Sequence, residues 1–194
     1  MPKKVLSLLC VLPLLLSGCG NSHQIESAAI IENVSVEEKD GQLLYTFYLL
    51  SDSETPEAVG VPADSFEEAQ TLAARQYIPH LSLAKLELFL IQKEVMQEIM
   101  QRDIEYISTQ ASFSPVAYVT LCDSAALEKV KKSAHAQETI EKQLLLCKSN
   151  HPEVNIHYLS VFNSYADSRR DCFCVPYITA EEELKVSKLM IHKD

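Results

Sequence analysis

The sequence has four glycines and no tryptophan in 194 residues. So few glycines argue against a glycine-rich phosphate cradle, which needs them for close backbone approach. The missing indole removes the usual sugar-stacking platform. Positive charge is also scarce: 17 Lys and Arg stand against 27 Asp and Glu, a formal net charge of −10. A nucleic-acid binder needs a basic footprint, so that class is excluded. Nor would such a chain cling to anionic lipid by charge. The six histidines, His23, His80, His135, His151, His157 and His192, show no H-E-x-x-H spacing,. No serine sits in a G-x-S-x-G setting,. The acidic runs Glu67-Glu68 and Glu181-Glu182-Glu183 are adjacent in sequence, so their side chains diverge; helix-start charge and a solvated run explain them,. The spacing therefore points to no enzyme, no metal site and no cofactor.

What is present begins at the N-terminus with MPKKVLSLLCVLPLLLSGCG. Lys3 and Lys4 form a positive head, and Val5 to Leu16 is an apolar run of twelve residues. Small residues and a thiol, Leu16-Ser17-Gly18-Cys19, close it. This is the anatomy of a secretory signal, and the run is too short for a permanent membrane-spanning helix. The ending resembles the lipobox of bacterial lipoproteins. That resemblance implies cleavage between Gly18 and Cys19, with a diacylglyceryl group on the Cys19 sulfur and Cys19 as the mature N-terminus. Residues 1–18 are then a signal peptide, 19–24 a lipidated tether and 25–194 a single domain. Each buried methylene contributes about 0.8 kcal/mol, and two chains anchor stably where one binds reversibly. The expected location is the extracytoplasmic face of a cell membrane. No second long apolar run follows, so no transmembrane helix is expected,.

Six cysteines divide by position. Cys10 leaves with the signal, and Cys19 is the lipid site. Cys122, Cys147, Cys172 and Cys174 remain in the soluble part. They read as small apolar core thiols, as two disulfides of three possible connectivities, or as a metal or redox pair at Cys172-Phe173-Cys174.

Alternation and turn residues predict an N-terminal β-hairpin. Ala28 to Val36 and Leu43 to Leu50 are its strands, joined by a loop of about five residues ending in Asp40-Gly41,. The second strand is apolar on both faces, so it belongs inside a sheet. Ser51 to Asp64, with Pro56, Gly60 and Pro62, reads as a loop,. Ser65 and Glu68 form a capping box for a helix to about Tyr77, closed by Pro79,. A strand over Lys85–Ile91, a helix over Gln92–Arg102 and a shorter one over Ile104–Gln110 follow. Val116 to Leu121 is the next strand. Ser124 caps a helix to Lys132, and another runs from Thr139 to Lys148. Pro152 starts a helix whose apolar face is Val154, Tyr158, Val161, Phe162 and Tyr165,. Cys172 to Ile178 is a strand that Pro176 weakens or sends to an edge. Leu184 to His192 is the last strand. The fold class is α/β (α+β), a mixed sheet with flanking helices.

These segments, in this order, resemble the N-terminal domain of the Ger(x)C family, the lipoprotein C subunits of spore germinant receptors. The lipobox leads into AAIIENVSVEEKDGQLLYTFYLL, where the family has strand, acidic turn and strand. SFEEAQTLAARQYIP, LSLAKLELFLIQKEVMQE and IEYISTQASFSPVAYVTLCDSAALEKV match the family's following elements in turn. The chain departs at Lys85, where the family carries histidine, and near Thr109, where it carries arginine. The family's middle and C-terminal domains would begin near His192, so the resemblance covers the N-terminal domain, in divergent or shortened form. It implies a palmitate-bearing, non-enzymatic subunit that supports assembly or nutrient signalling of a complex at the outer face of the spore inner membrane. Its partners would be polytopic membrane subunits, one of them transporter-like. The alternative reading is an extracytoplasmic solute-binding lipoprotein.

Overall fold

A computed structural model of the chain describes residues 29–51, 54–78, 80–110, 113–114 and 116–193. The signal peptide, Cys19, the tether, Pro79 and Pro115 lie outside the described residues. The first described strand, β1 (Ala29–Lys39), turns directly into β2 (Gln42–Leu49). The connection is tighter than the expected five-residue loop. Asp40 and Gly41 have φ of 54° and 78°, so two residues in left-handed conformation close the hairpin. That geometry matches the twist of paired strands, and Asp-Gly is a preferred pair for it. The loop expected over 51–64 holds a further strand, β3 (Ala58–Pro62), on the outer side of β2. Its five residues contain Gly60 and end at Pro62. Such composition survives at an edge, where half the ladder bonds are not required.

Helix α1 (Phe66–Gln76) starts as the capping pattern predicts. The Glu68 N–H donates to Ser65 Oγ at 3.2 Å. The reciprocal bond is displaced by one residue: Glu68 Oε2 accepts from the Asp64 N–H, 2.9 Å. Then come β4 (Leu81–Ser82), β5 (Leu88–Gln92), a short 3-10 turn over 93–95, and helices α2 (Met96–Arg102) and α3 (Ile104–Thr109). Val95, Met96, Ile99 and Met100 are buried, at the helical spacing read from the sequence. Strand β6 (Tyr118–Cys122) leads to α4 (Ser124–Lys132) and α5 (Ala134–Asn150). The cap of α4 is Asp123, not Ser124; its side chain accepts from the Ala126 N–H, and Ser124 is the first helical residue. α5 is longer than the expected 139–148, with Ser133 capping it through the Ala136 N–H.

The expected helix start at Pro152 does not occur. Helix α6 spans Tyr158–Ala166, and residues 151–157 approach it as turn and extended chain. Val154 bridges Cys174, and His157 bridges Tyr118. The Val119 N–H donates to the Ile156 carbonyl at 2.8 Å, and the Asn155 N–H to that of Cys174 at 2.9 Å. Val154 and Ile156 alternate, so extended pairing with the neighbouring strands competes with helix and wins,. This segment fills the gap between β6 and β7 (Cys172–Ala180), which pair directly only at Leu121–Tyr177 and Cys122–Ile178. Pro176 therefore sits in an interior strand, not at an edge: the ladder to β6 begins just after it, where backbone N–H groups are available,. The exposed run Glu181–Glu183 turns the chain into β8 (Leu184–His192).

The strands form one mixed sheet in the order β3-β2-β1-β5-β6-β7-β8, with β4 beside the start of β1. β1, β5, β6 and β7 are parallel; β2, β3 and β8 are antiparallel to their neighbours. As expected, β2 is interior. The larger core lies under α1, α2 and α6. Phe66 sits at its centre, its ring 5.8–6.4 Å from those of Tyr45, Phe47, Phe89, Tyr106 and Phe113. The opposite core packs Leu88, Leu90, Cys122 and Ile178 against Ala126, Leu127, Val130, Ile140 and Leu144 of α4 and α5. β1 changes character between its ends. Its register against β2 skips from Ile31↔Leu49 to Asn33↔Tyr48, so Glu32 is an extra, bulged residue,. The bulge lets Ile31, Val34 and Val36 share one core despite their uneven spacing.

Candidate functional site

The neighbours of that bulge form the most distinctive polar site among the described residues. Backbone register sets out a row across three strands. The Glu87 N–H donates to the Glu32 carbonyl at 2.7 Å, and the Tyr118 N–H donates to the Glu87 carbonyl at 2.7 Å. Tyr118 then stacks on His157, ring centroids 5.1 Å apart at 22°. Helix α5 runs over this row and presents Gln137, Glu138 and Glu141. The result is a recess of ≈ 120 Å³, lined by Glu32, Asn33, Glu87, Tyr118, Gln137, Glu138 and Glu141 among others. A wider groove continues past Glu87, Tyr118 and Glu141 towards Lys85, Val116 and His157.

Four carboxylates face one small space. Burial, then repulsion from Glu87, Glu138 and Glu141, holds the Glu32 carboxyl above the usual carboxylate range. Burial and Glu141 do the same to Glu87, with Lys85 opposing. Among the described residues, Glu32, Glu87 and Glu141 have no cation within ion-pair distance; Glu138 has only its helix neighbours His135 and Lys142, at 3.9 and 4.0 Å. The floor is polar as well. The Asn33 amide donates from Nδ2 to Gln137 Oε1, 2.6 Å. Gln137 is 8% exposed, and its Nε2 has no partner among the described residues. A buried donor left so costs free energy.

The residues singled out from the sequence fall elsewhere. Gly18 and Cys19 lie outside the described residues. Cys122 is buried on β6, where its Sγ lies 3.6 Å from the Ile91 carbonyl, and burial pushes its thiol pKa up. Cys147 is buried on α5; Cys172 and Cys174 are half-buried on β7, and all four are free thiols. The described histidines do not gather: His80 and His135 are exposed, and His157 binds the Val116 carbonyl through Nδ1 at 3.0 Å. Among the described residues no three His, Cys, Asp or Glu side chains are placed to hold a metal ion. No described helix is long and apolar enough to cross a membrane. Sequence reading missed Glu32, Glu87, Tyr118 and Gln137, because only strand register brings them together. Glu138 and Glu141, three apart on one helix, carried the one readable signal.

No curated protein and no solved structure matches the chain. A family model does: the one described as the spore germination protein N-terminal domain matches residues 21–180. That span runs from before β1 to the last residue of β7, and takes in the parallel centre of the sheet and every described helix. The chain belongs to the spore germination protein N-terminal domain family.

Proposed function

We propose that the chain is a membrane-anchored lipoprotein and a non-enzymatic subunit of a spore germinant-receptor-like complex, supporting its assembly or its nutrient signalling. The observation that carries this reading is the family match over residues 21–180, which opens two residues after the lipobox cysteine. A thioether-linked diacylglyceryl group on Cys19, with its two chains, holds the domain to the extracytoplasmic face of the membrane. The spore inner membrane is the expected site. Confinement to that plane raises the effective concentration of the domain for polytopic neighbours. The anchor leads into β1, a strand paired with β2 on one side and with β4 and β5 on the other. A load on the tether therefore enters the middle of the sheet rather than a loose edge.

The described side chains support a binding and assembly role over catalysis. The most buried thiol, Cys122, is held protonated by burial, which makes it a poor nucleophile,. Its test is biochemical. Labelled palmitate should enter the native protein and not Cys19→Ala, and the detergent-solubilised protein should co-purify with a polytopic membrane subunit. Label retained by Cys19→Ala, or purification as a lone monomer with normal germination after deletion, would overturn the reading. Solute binding is favoured as a second role by the acidic recess under α5.

A further inference from the structure

We propose that the end of the sheet where β1 begins rests against the bilayer, with Leu50, Tyr77, Val116 and Leu159 seated in the lipid interface. This builds on the acylated Cys19 of the proposed function and adds which end of the domain meets the lipid. Reach is the first observation. Ten residue steps separate Cys19 from Ala29, and a chain of that length spans at most about 35 Å. β1 has eleven residues, so its two ends stand about 33 Å apart. The start of β1 is always within the tether's reach of the lipid. The far end of β1 gets there only with the tether at full stretch along the strand.

The second observation is where the exposed apolar side chains lie. β1, β5 and β6 are parallel, so they begin at the same end of the sheet. The Leu50 N–H donates to the Ile30 carbonyl at 2.9 Å, which sets Leu50 beside the start of β1. Tyr77 closes α1, shortly before β4 pairs with Ala29 and Ile30. Val116 lies two residues before β6 and is 67% exposed. The Tyr158 N–H donates to the Ala117 carbonyl at 3.0 Å, so the next residue, Leu159, joins the same end. Four of the seven exposed large apolar side chains among the described residues therefore gather there; Leu145, Leu146 and Met190 lie on α5 and β8. Single exposed apolar residues are ordinary, but a gathering at one end calls for a partner.

The turns at the opposite end expose no large apolar side chain. They carry Glu38, Asp40, Asp64, Glu94 and the run Glu181–Glu183, all exposed. Inverting the domain would strain the tether and press these carboxylates on the headgroups. Tyrosine and aliphatic side chains suit the interface at the other end. Charge does not draw that end down: exposed Lys85, Arg169 and Arg170 are matched by exposed Glu57, Glu87 and Asp171. The contact is apolar, so screening by salt should leave it intact.

The test uses the absence of tryptophan from the chain, which makes a single introduced indole a background-free reporter. The full acylated protein is reconstituted into vesicles of brominated phosphatidylcholine, and fluorescence quenching is read against unbrominated vesicles. Val116→Trp and Leu50→Trp should be quenched several-fold more than Lys39→Trp at the far end of β1, in low and high salt alike. Both positions are exposed, and urea unfolding checks that each variant is folded. Vesicle flotation separates the two readings. Protein that fails to float with the vesicles overturns the anchor and this inference together. Protein that floats, with Val116→Trp and Leu50→Trp quenched no more than Lys39→Trp, overturns this inference alone and leaves the apolar end to a protein partner. Quenching lost in high salt from protein that still floats also overturns it.

Discussion

Asp103 is a buried carboxylate that joins three elements, and replacing it should be costly in a way that depends on the substitute. It sits between α2 and α3 and is 1% exposed. Its Oδ2 accepts from the Tyr45 hydroxyl of β2 at 2.8 Å, and its Oδ1 accepts from the Phe66 N–H at the start of α1, 3.0 Å. Burial raises its pKa; the two hydrogen bonds and Arg102 act the other way and only partly offset this. Asp103→Ala strands two buried donors at about 1–3 kcal/mol each and leaves a small cavity, so the expected loss is about 3–5 kcal/mol. For a domain of this size that lowers Tm by roughly 6–20 °C. Asp103→Asn keeps the shape. Its Oδ1 can still accept from the Phe66 N–H while its Nδ2 donates to the Tyr45 oxygen, so about 1 kcal/mol is expected. The sign of the pH effect follows from the raised pKa. The folded state takes up the proton before the unfolded state does, so ionised Asp103 burdens the fold at neutral pH, and that burden fades as pH falls through the raised pKa towards 3.8,. The gap between wild type and Asp103→Asn should therefore shift in favour of wild type on acidification. Urea unfolding followed by circular dichroism at several pH values measures all of this. A loss below about 0.5 kcal/mol for Asp103→Ala, or equal losses for Ala and Asn, would refute the reasoning.

Three further outcomes are expected. Gly41→Val, at φ 78°, should cost about 1–2 kcal/mol by urea unfolding, because a β-branched residue does not tolerate the left-handed turn,. Glu32→Gln with Glu87→Gln should raise stability at neutral pH, since both pKa values lie above 4.5 in the fold; the gain should vanish as acid neutralises the wild-type pair, and a gain that persists at low pH would contradict the repulsion argument,. Under reducing native conditions, alkylation followed by peptide mass spectrometry should find Cys172 and Cys174 modified before Cys147 and Cys122, in step with their burial; rapid modification of Cys122 would contradict its placement on β6.

The legible parts of the fold were those specified by neighbouring residues. Asp40-Gly41 announces a hairpin, Ser65 and Glu68 announce a helix start, and the spacing of Val95, Met96, Ile99 and Met100 announces a buried face. The illegible parts depend on distant partners. Ala58–Pro62 becomes a strand because β2 offers it an edge, despite Gly60 and Pro62. Val154 fits a helical pattern with Tyr158 and Val161, yet the gap between β6 and β7 takes Val154 and Ile156 as extended chain. The recess follows the same logic. Glu32, Glu87 and Tyr118 lie far apart in sequence, and nothing local marks them. Only the parallel register of β1, β5 and β6 brings them side by side.

The bulge at Glu32 separates what the fold requires from what the recess requires. Asn33 pairs with Tyr48 and Ile31 with Leu49, so β2 advances by one residue while β1 advances by two. Deleting Glu32 would make the β1–β2 ladder regular. Ile31 would then directly precede Asn33, and the alternation of a flat strand would still send Ile31 and Val34 into the same core, with Asn33 on the recess side. The cost lies at the start of the strand, where the short pairing with Leu81 and Ser82 must shift by one residue. Those two pairs are a small part of the sheet, so the deletion should cost no more than about 1–2 kcal/mol in urea unfolding. It also removes the Glu32 carboxylate from the recess. A bulge needed for folding would give the opposite pattern, a collapse of stability on deletion while Glu32→Gln remains fully folded. That outcome would assign the extra residue to the architecture of β1 rather than to the recess.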